Sequence, residues 1–415
     1  MFKSYKVTNY IELFNNFVSI KGFNVNMKYY LISGEASGDL HGSNLIRGLK
    51  SRDPQAEFRF WGGDMMASAS GSGEALVRHY NEGAVMGVSD VIAKAGKLLG
   101  NVKFCKQDIL SWKPDVVILI DYPGFNFKIA EFAHKKGFKV FYYIAPKTWA
   151  SRESRNRKLK KFVDSLFIIF PFEKEYFNAH GVKYEYCGNP LIDAIDGSPA
   201  LSESRDGFLS RNSLADKSYI ALLAGSRKGE IKRMMPAYMQ FADRLRKYDG
   251  LNDMEFIIAG APSRNAADYE GYIGGRPYVH LVFNETYSVL KNAEAAVINS
   301  GTASLEAALI GTPQVVGWTS TKLTAFVARK ILKVQNHIKF ISLGNLIVDR
   351  LVFKEFYMEE FTVENITDEI LHILNDNSYR AGMIEGYNEI RSRLGSSGAS
   401  AKIAEKMIGL ITARN

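Results

Sequence analysis

Residues 297–306 read Val297-Ile-Asn-Ser-Gly-Thr-Ala-Ser-Leu-Glu306, and this stretch decides how the chain is built. The apolar run 295–298 predicts a strand, Asn299-Ser300-Gly301 a tight turn, and Thr302 the start of a helix whose buried side carries Leu305, Ala308 and Leu309. Such a turn presents free backbone N–H groups and the positive end of a helix dipole at the strand's carboxyl end, which suits an anion. Glu306, one turn into the helix, is placed to accept hydrogen bonds from two vicinal hydroxyls. Phosphates at the tip and a diol beside it describe a nucleotide-sugar pocket, although Ser-Gly-Thr turns also serve simply as helix caps.

The same alternation of short apolar runs and helical patterns extends from Met27 onward and argues for parallel βαβ units. Strands are predicted at 28–33, 57–60, 115–120, 138–143, 165–169 and 184–187, then at 219–223, 254–258, 278–282, 295–298, 313–316 and 339–341. Helices are predicted from Asp39 to about Lys50 and over 362–376, 378–393 and 399–412. The pattern lapses between Asp193 and Lys217, so 27–195 reads as one Rossmann-like lobe, 196–217 as a linker and 218–380 as a second lobe. Residues 381–415 read as terminal helices that cross back to the first lobe, and 1–26 as an extension without assigned function. The fold class is α/β, two doubly wound lobes with a ligand cleft between their strand ends.

Bulk properties fit a two-domain enzyme. At 415 residues the chain exceeds the size at which single cores stop growing, and 46% apolar with 23% charged content is globular. Cys105 and Cys187 form no metal or redox pattern, the seven histidines show no ligand spacing, and no Asp-x-Asp pair occurs. A reduced, cytoplasmic compartment and a metal-independent reaction without cofactor are expected. No apolar run approaches the roughly 20 residues that span a bilayer.

Three further turns carry chemistry. The first strand empties into Gly34-Glu-Ala-Ser-Gly-Asp39, where a glycine turn capped by Asp39 leaves Glu35 and Ser37 unexplained. Glu35, Ser37 and Asp39 are therefore assigned to the acceptor side of the cleft. Strand 115–120 ends in Asp121-Tyr-Pro-Gly-Phe-Asn126. An acid at the carboxyl end of a central strand points into the inter-lobe crevice and suits a general base; the plainer role is an Asx cap, but the Pro-Gly already closes that turn. In the second lobe Gly225-Ser226 offers another anion nest, and Arg227 a fork for phosphate.

Seven motifs occur in order: Gly34-Glu-Ala-Ser-Gly-Asp39, Ala84-Val-Met-Gly87, Ile120-Asp-Tyr-Pro-Gly-Phe-Asn126, Pro171-Phe-Glu173, Gly225-Ser-Arg227, Ser300-Gly-Thr-Ala-Ser-Leu-Glu306 and Ser342-Leu-Gly-Asn-Leu346. Together they resemble the lipid-A-disaccharide synthase family from Met27 to the C-terminus. The resemblance implies a GT-B glycosyltransferase, inverting and metal-free, acting on UDP-2,3-diacylglucosamine and 2,3-diacylglucosamine 1-phosphate (lipid X). It also implies a β-1,6 disaccharide product and peripheral association with the inner membrane. The family's essential aspartate maps to Asp121, and its UDP contacts to Arg227, Ser300, Gly301, Thr302, Glu306 and Asn345. The chain departs from the family at Gly124, where a second acid is frequent, at Asn189, where a histidine is frequent, and at Met358, where glutamine is frequent.

Between Val88 and Val102 apolar residues recur at helical spacing, and 94–106 holds four lysines and no acid. Read without the resemblance this is ordinary core with a solvated edge; diacylated substrates turn it into a membrane-contact face that includes Met86, Val88, Lys94, Lys97 and Leu98. A second basic run, Arg152 to Lys161, has six cations against Glu153 and suits lipid phosphate or a solvated helix face equally. The net charge of +9 fits an anionic membrane, no nucleic-acid module is present, and oligomeric state stays open. Alternatives are a UDP-N-acetylglucosamine 2-epimerase, a muramyl-pathway glycosyltransferase, or a two-lobed binding protein, the last expected to carry an export signal that is not evident here.

Overall fold

The short apolar runs of the two halves pair into two separate, wholly parallel sheets. The computed structural model describes residues 26–83, 91–150, 152–319 and 339–413. The first sheet holds β1 (Lys28–Ile32), β2 (Glu57–Gly62), β3 (Leu76–His79), β4 (Val116–Ile120), β5 (Lys139–Tyr143), β6 (Ser165–Ile168) and β7 (Glu185–Tyr186), ordered 3-2-1-4-5-6-7. The second holds β8 (Tyr219–Leu223), β9 (Glu255–Gly260), β10 (Val279–Phe283), β11 (Ala295–Asn299), β12 (Gln314–Trp318) and β13 (Glu355–Tyr357), ordered 10-9-8-11-12-13.

The central strands are unbroken apolar runs because helices cover both faces of each sheet. β4 and β8 are buried along their whole length. Alternation sends Tyr29 and Leu31 to one face of the first sheet and Tyr30 and Ile32 to the other, each into its own cluster. The first of these clusters continues through Leu191, Ile192 and Ile195 into the second lobe, so the lobes share apolar packing. Phe162 and Phe167 lie inside the first lobe, and Trp149 packs edge-on against Phe172 at 5.0 Å.

Three expectations are corrected. Residues 339–341 form no strand; the backbone N–H of Ile341 instead donates to Glu355 at 2.7 Å, and the outer strand is β13. β3 arises where no strand was expected, because Leu-Val-Arg-His lacks an apolar run and pairs only at the sheet edge. The 193–217 stretch is largely helical, with helices Pro190–Asp196, Pro199–Ser202 and Arg205–Arg211. Each begins with proline at its first turn or a side-chain cap, from Asn189 in the first and Ser204 in the third.

The three final helices span Val363–Asn375, Asn377–Leu394 and Ala399–Thr412. The last returns to the first lobe, where Glu405 pairs with Arg52 at 3.1 Å and Lys139 donates to the Leu410 carbonyl at 2.7 Å. Helix Val91–Trp112 turns Val102, Cys105 and Ile109 into the core and leaves Leu99, Phe104 and Leu110 exposed. Leu98 is half-buried and packs in part against that core. Met86 and Val88, and the side chains of Lys94 and Lys97, lie outside the described residues. No described helix is long and apolar enough to cross a membrane.

Candidate functional site

In each sheet the strand order reverses between the two central strands, β1 and β4 in the first and β8 and β11 in the second. The connections leave such a pair in opposite directions and open a crevice at the carboxyl ends. The turns singled out in the sequence sit there: Gly34-Glu35 follows β1, Asp121-Tyr122 follows β4, Gly225–Arg227 follows β8 and Ser300-Gly301 follows β11.

The tip of β4 is strained. Asp121 and Tyr122 both adopt left-handed backbone, φ 42° and 44°, which side-chain-bearing residues hold only when their surroundings enforce it. The enforcement is visible: the Asn126 amide donates to the carbonyls of Ile120 and Asp121 at 3.2 and 2.8 Å, and the Tyr142 hydroxyl donates to Asp121 O at 2.6 Å. Pro123 then opens helix Pro123–Lys135 at a position where its missing N–H is harmless. The Tyr122 ring lies flat over Gly34; a Cβ there would come within 2.4 Å of it, so this position must be glycine.

Burial pushes the Asp121 carboxyl up to about 6, with the neighbouring Glu35 charge adding to the rise and Lys147 and Arg227 opposing it. A carboxyl tuned to that value is ionised near neutrality yet basic enough to take a proton. Lys147 went unnoticed in the sequence. The β4–β5 register pairs Ile120 with Tyr143, which sets the loops after both strands side by side; only that pairing could have marked it.

Glu35 joins the two crevices. Its carboxylate meets Arg227 of the second lobe at 3.3 Å and accepts from the Ser37 hydroxyl at 3.0 Å. The expected anion nest after β8 is corrected here. The N–H groups of Ser226 and Arg227 both donate to Glu230 Oε2, at 3.0 and 3.1 Å, so an internal carboxylate fills it. Gly225, at φ +96°, is required by the squeeze, since a Cβ would meet Glu230 at 2.5 Å and Asn299 at 2.6 Å. Arg227 itself stays largely exposed, bound to Glu230 at 2.9 Å on one side and Glu35 on the other.

The turn after β11 has the strand-turn-helix form expected from the sequence. The Ser300 N–H continues the sheet to Gly317 O, and its hydroxyl donates to Ile341 O at 3.3 Å. Helix Thr302–Ile310 opens behind Gly301 at the carboxyl end of β11 with no side-chain cap on its first N–H groups. Glu306 accepts from the Tyr287 hydroxyl at 3.1 Å and burial raises its pKa.

Two assigned residues leave the site. Asp39 is buried and accepts from the N–H groups of Gly63, Met65 and Met66 at 2.8 to 3.1 Å, capping helix Asp64–Ser70 and not the helix that follows β1. Asn345 is fully buried; its amide donates to Phe353 O and Glu355, and its oxygen accepts from Val352 N. It has no capacity left for a ligand. Asn189, where the family often has histidine, is likewise buried, capping Leu191 N at 2.9 Å. Met358 sits at φ 55°, half-buried, without polar capacity. Among the described residues no three His, Cys, Asp or Glu side chains gather as a metal-holding group.

The sequence profile of the lipid-A-disaccharide synthetase family matches residues 29–405. Lipid-A-disaccharide synthase of Geobacter metallireducens is 34% identical over 381 residues, covering 91% of this chain and 96% of its own. That of Myxococcus xanthus is 34% identical over 384 residues, with 92% and 97% covered. Among solved structures, the S. aureus MnaA–UDP co-structure superposes with a TM-score of 0.66 at 14% identity, covering 93% of this chain and 97% of that one. UDP-GlcNAc 2-epimerase of Neisseria meningitidis, bound to UDP-GlcNAc, gives 0.64 at 14% identity, with 92% and 100% covered. At such identity the likeness is one of fold: the two-lobed α/β architecture of GT-B glycosyltransferases.

Proposed function

Because the chain belongs to the lipid-A-disaccharide synthase family, we propose that it transfers 2,3-diacylglucosamine from UDP to the 6-hydroxyl of 2,3-diacylglucosamine 1-phosphate. The chain is thus a glycosyltransferase of lipid A biosynthesis, and its products are the β-1,6 disaccharide 1-phosphate and UDP. One observation carries the residue assignment: a carboxyl tuned to about 6 at the first lobe's switch point, linked through Glu35 to Arg227 at the second.

The chemistry follows from that arrangement. Asp121 takes the proton of the acceptor hydroxyl as its oxygen attacks the anomeric carbon. The bond from that carbon to the β-phosphate oxygen breaks, and the electron pair departs with UDP. One displacement inverts the centre and needs no enzyme nucleophile. Arg227 and the open N-terminus of helix Thr302–Ile310 stabilise the departing charge, the role preorganised donors fill without reorganisation. Glu306 holds the ribose hydroxyls. The acyl chains of both substrates keep the enzyme at the inner-membrane surface, with Leu99, Phe104 and Leu110 as its exposed apolar side chains on one helix.

The test is incubation of purified protein with UDP-2,3-diacylglucosamine and lipid X. Disaccharide and UDP are expected in equal amounts, and neither when the acceptor is left out. Conversion of UDP-N-acetylglucosamine without acceptor would mark an epimerase and overturn the reading.

A further inference from the structure

Beside Asp121 lies a cavity of about 360 Å³ that the mechanism above does not use. It opens to the surface and is lined by Phe127, the start of helix Pro123–Lys135, Ser154 and four cations, Lys128, Arg152, Arg155 and Lys158, of which Arg155 is half-buried and the others exposed. Arg155 and Lys158 lie over the Phe127 ring at 5.8 and 5.9 Å. Among the described residues none of the four has a carboxylate within ion-pair distance. Of the nearby acids, Glu153 pairs with His180 at 2.9 Å and Glu131 with Lys135 at 2.7 Å, while the charges of Asp121 and Glu131 reach Arg155 and Lys158 without pairing with them.

Four like charges held around one cavity repel one another, and an anion is what relieves them. The repulsion registers on Arg155, whose pKa falls first through burial and then through the charge of Arg152. The cavity is also tied to the reacting centre. Its rim begins two residues past Asp121, and the Tyr142 hydroxyl bonded to Asp121 O lies in the field of both Asp121 and Arg155.

We infer that this cavity binds the 1-phosphate of the acceptor sugar, with Arg152 and Arg155 as the principal contacts and Lys128 and Lys158 completing the neutralisation. This rests on the proposed function. The phosphate and the attacking 6-hydroxyl belong to one pyranose ring, so anchoring the first beside Asp121 delivers the second to it. A phosphomonoester carries nearly two charges near neutrality, a better match for four cations than a singly charged bilayer phosphodiester. The phosphate chemistry is common to both sources, and the test separates them.

The experiment compares lipid X with its phosphate-free analogue, 2,3-diacylglucosamine, as acceptors. Charge-assisted hydrogen bonds of this kind correspond to about 10- to 100-fold each. Wild type should therefore favour the phosphorylated acceptor by at least about 100-fold in kcat/KM, and the R152Q/R155Q double variant by less than about tenfold. K160Q, in the same basic run but outside the cavity, should keep the wild-type preference. Equal losses on both acceptors in the double variant would overturn the proposal. So would an undiminished preference accompanied by weaker binding to phosphatidylglycerol vesicles, which would assign these cations to bilayer headgroups. If wild type makes no disaccharide from either acceptor, the proposed function fails. The cavity is then judged by calorimetry with glucosamine 1-phosphate against glucosamine: preference for the phosphate, lost in the double variant, sustains it, and no preference ends it.

Discussion

The crevice of the first lobe and that of the second are built by the same topology and filled with opposite electrostatics. Both open where two central parallel strands send their connections apart. At β4 the tip carries Asp121 in strained left-handed backbone, its carboxyl raised by burial and by Glu35. At β8 and β11 the tips carry an exposed arginine and an uncapped helix N-terminus. The fold supplies two equivalent openings; side chains at four strand ends decide which gathers a proton and which gathers phosphate. Glu35 to Arg227 is where the two meet, and Glu230 already satisfies the amides that a phosphate would otherwise claim after β8.

That contrast can be broken most directly at Asp121. Asp121→Asn keeps the shape and the local hydrogen bonds but cannot accept a proton, so kcat should fall at least about 100-fold while calorimetry shows UDP binding retained. Retained activity would end the division of labour. Arg227→Ala should do the converse, weakening UDP binding about 10- to 100-fold, the span of charged hydrogen bonds.

Stability separates the lobes further. The folded state holds the Asp121 proton more tightly than the unfolded chain does, so ionising this carboxyl opposes folding. Asp121→Asn should then be the more stable protein at pH 8 by about 1–2 kcal/mol, with the gap closing as pH falls below about 4, read from urea unfolding at each pH. The smallest effect is on the pH profile. The acid limb of kcat/KM should centre near 6. Glu35→Gln removes a charge that raises Asp121 and should move the midpoint down; Lys147→Met removes one that lowers it and should move it up. Shifts in the same direction would show that these two charges do not act on Asp121.

Legibility followed burial. Strand 219–223 was read to the residue, and 28–33 and 115–120 to within one, because strands covered on both faces are unbroken apolar runs. Two of the four edge strands escaped: β3 and β13 are half-exposed, and their mixed side chains carry no period, whereas β7 and β10 at the opposite edges were legible at 184–187 and 278–282. Asp121, Glu35 and Arg227 were legible as polar residues at the ends of apolar runs. Asp39 reads as a cap in the first glycine turn and Asn345 enters only through the family resemblance; both proved to be internal, since a polar residue near a turn serves either the backbone or the ligand, and only its hydrogen-bond partners tell which.

The order of apolar runs, glycine turns and helical patterns by itself determined two doubly wound lobes, the family and the candidate base, because these depend on local periodicity and on motif order. Tertiary structure alone decided that Glu35 reaches Arg227, that Lys147 stands beside Asp121 and that four cations converge on one cavity. Those are contacts between segments far apart in the chain, and their energies depend on distance and burial, quantities that appear only when the strands are laid side by side.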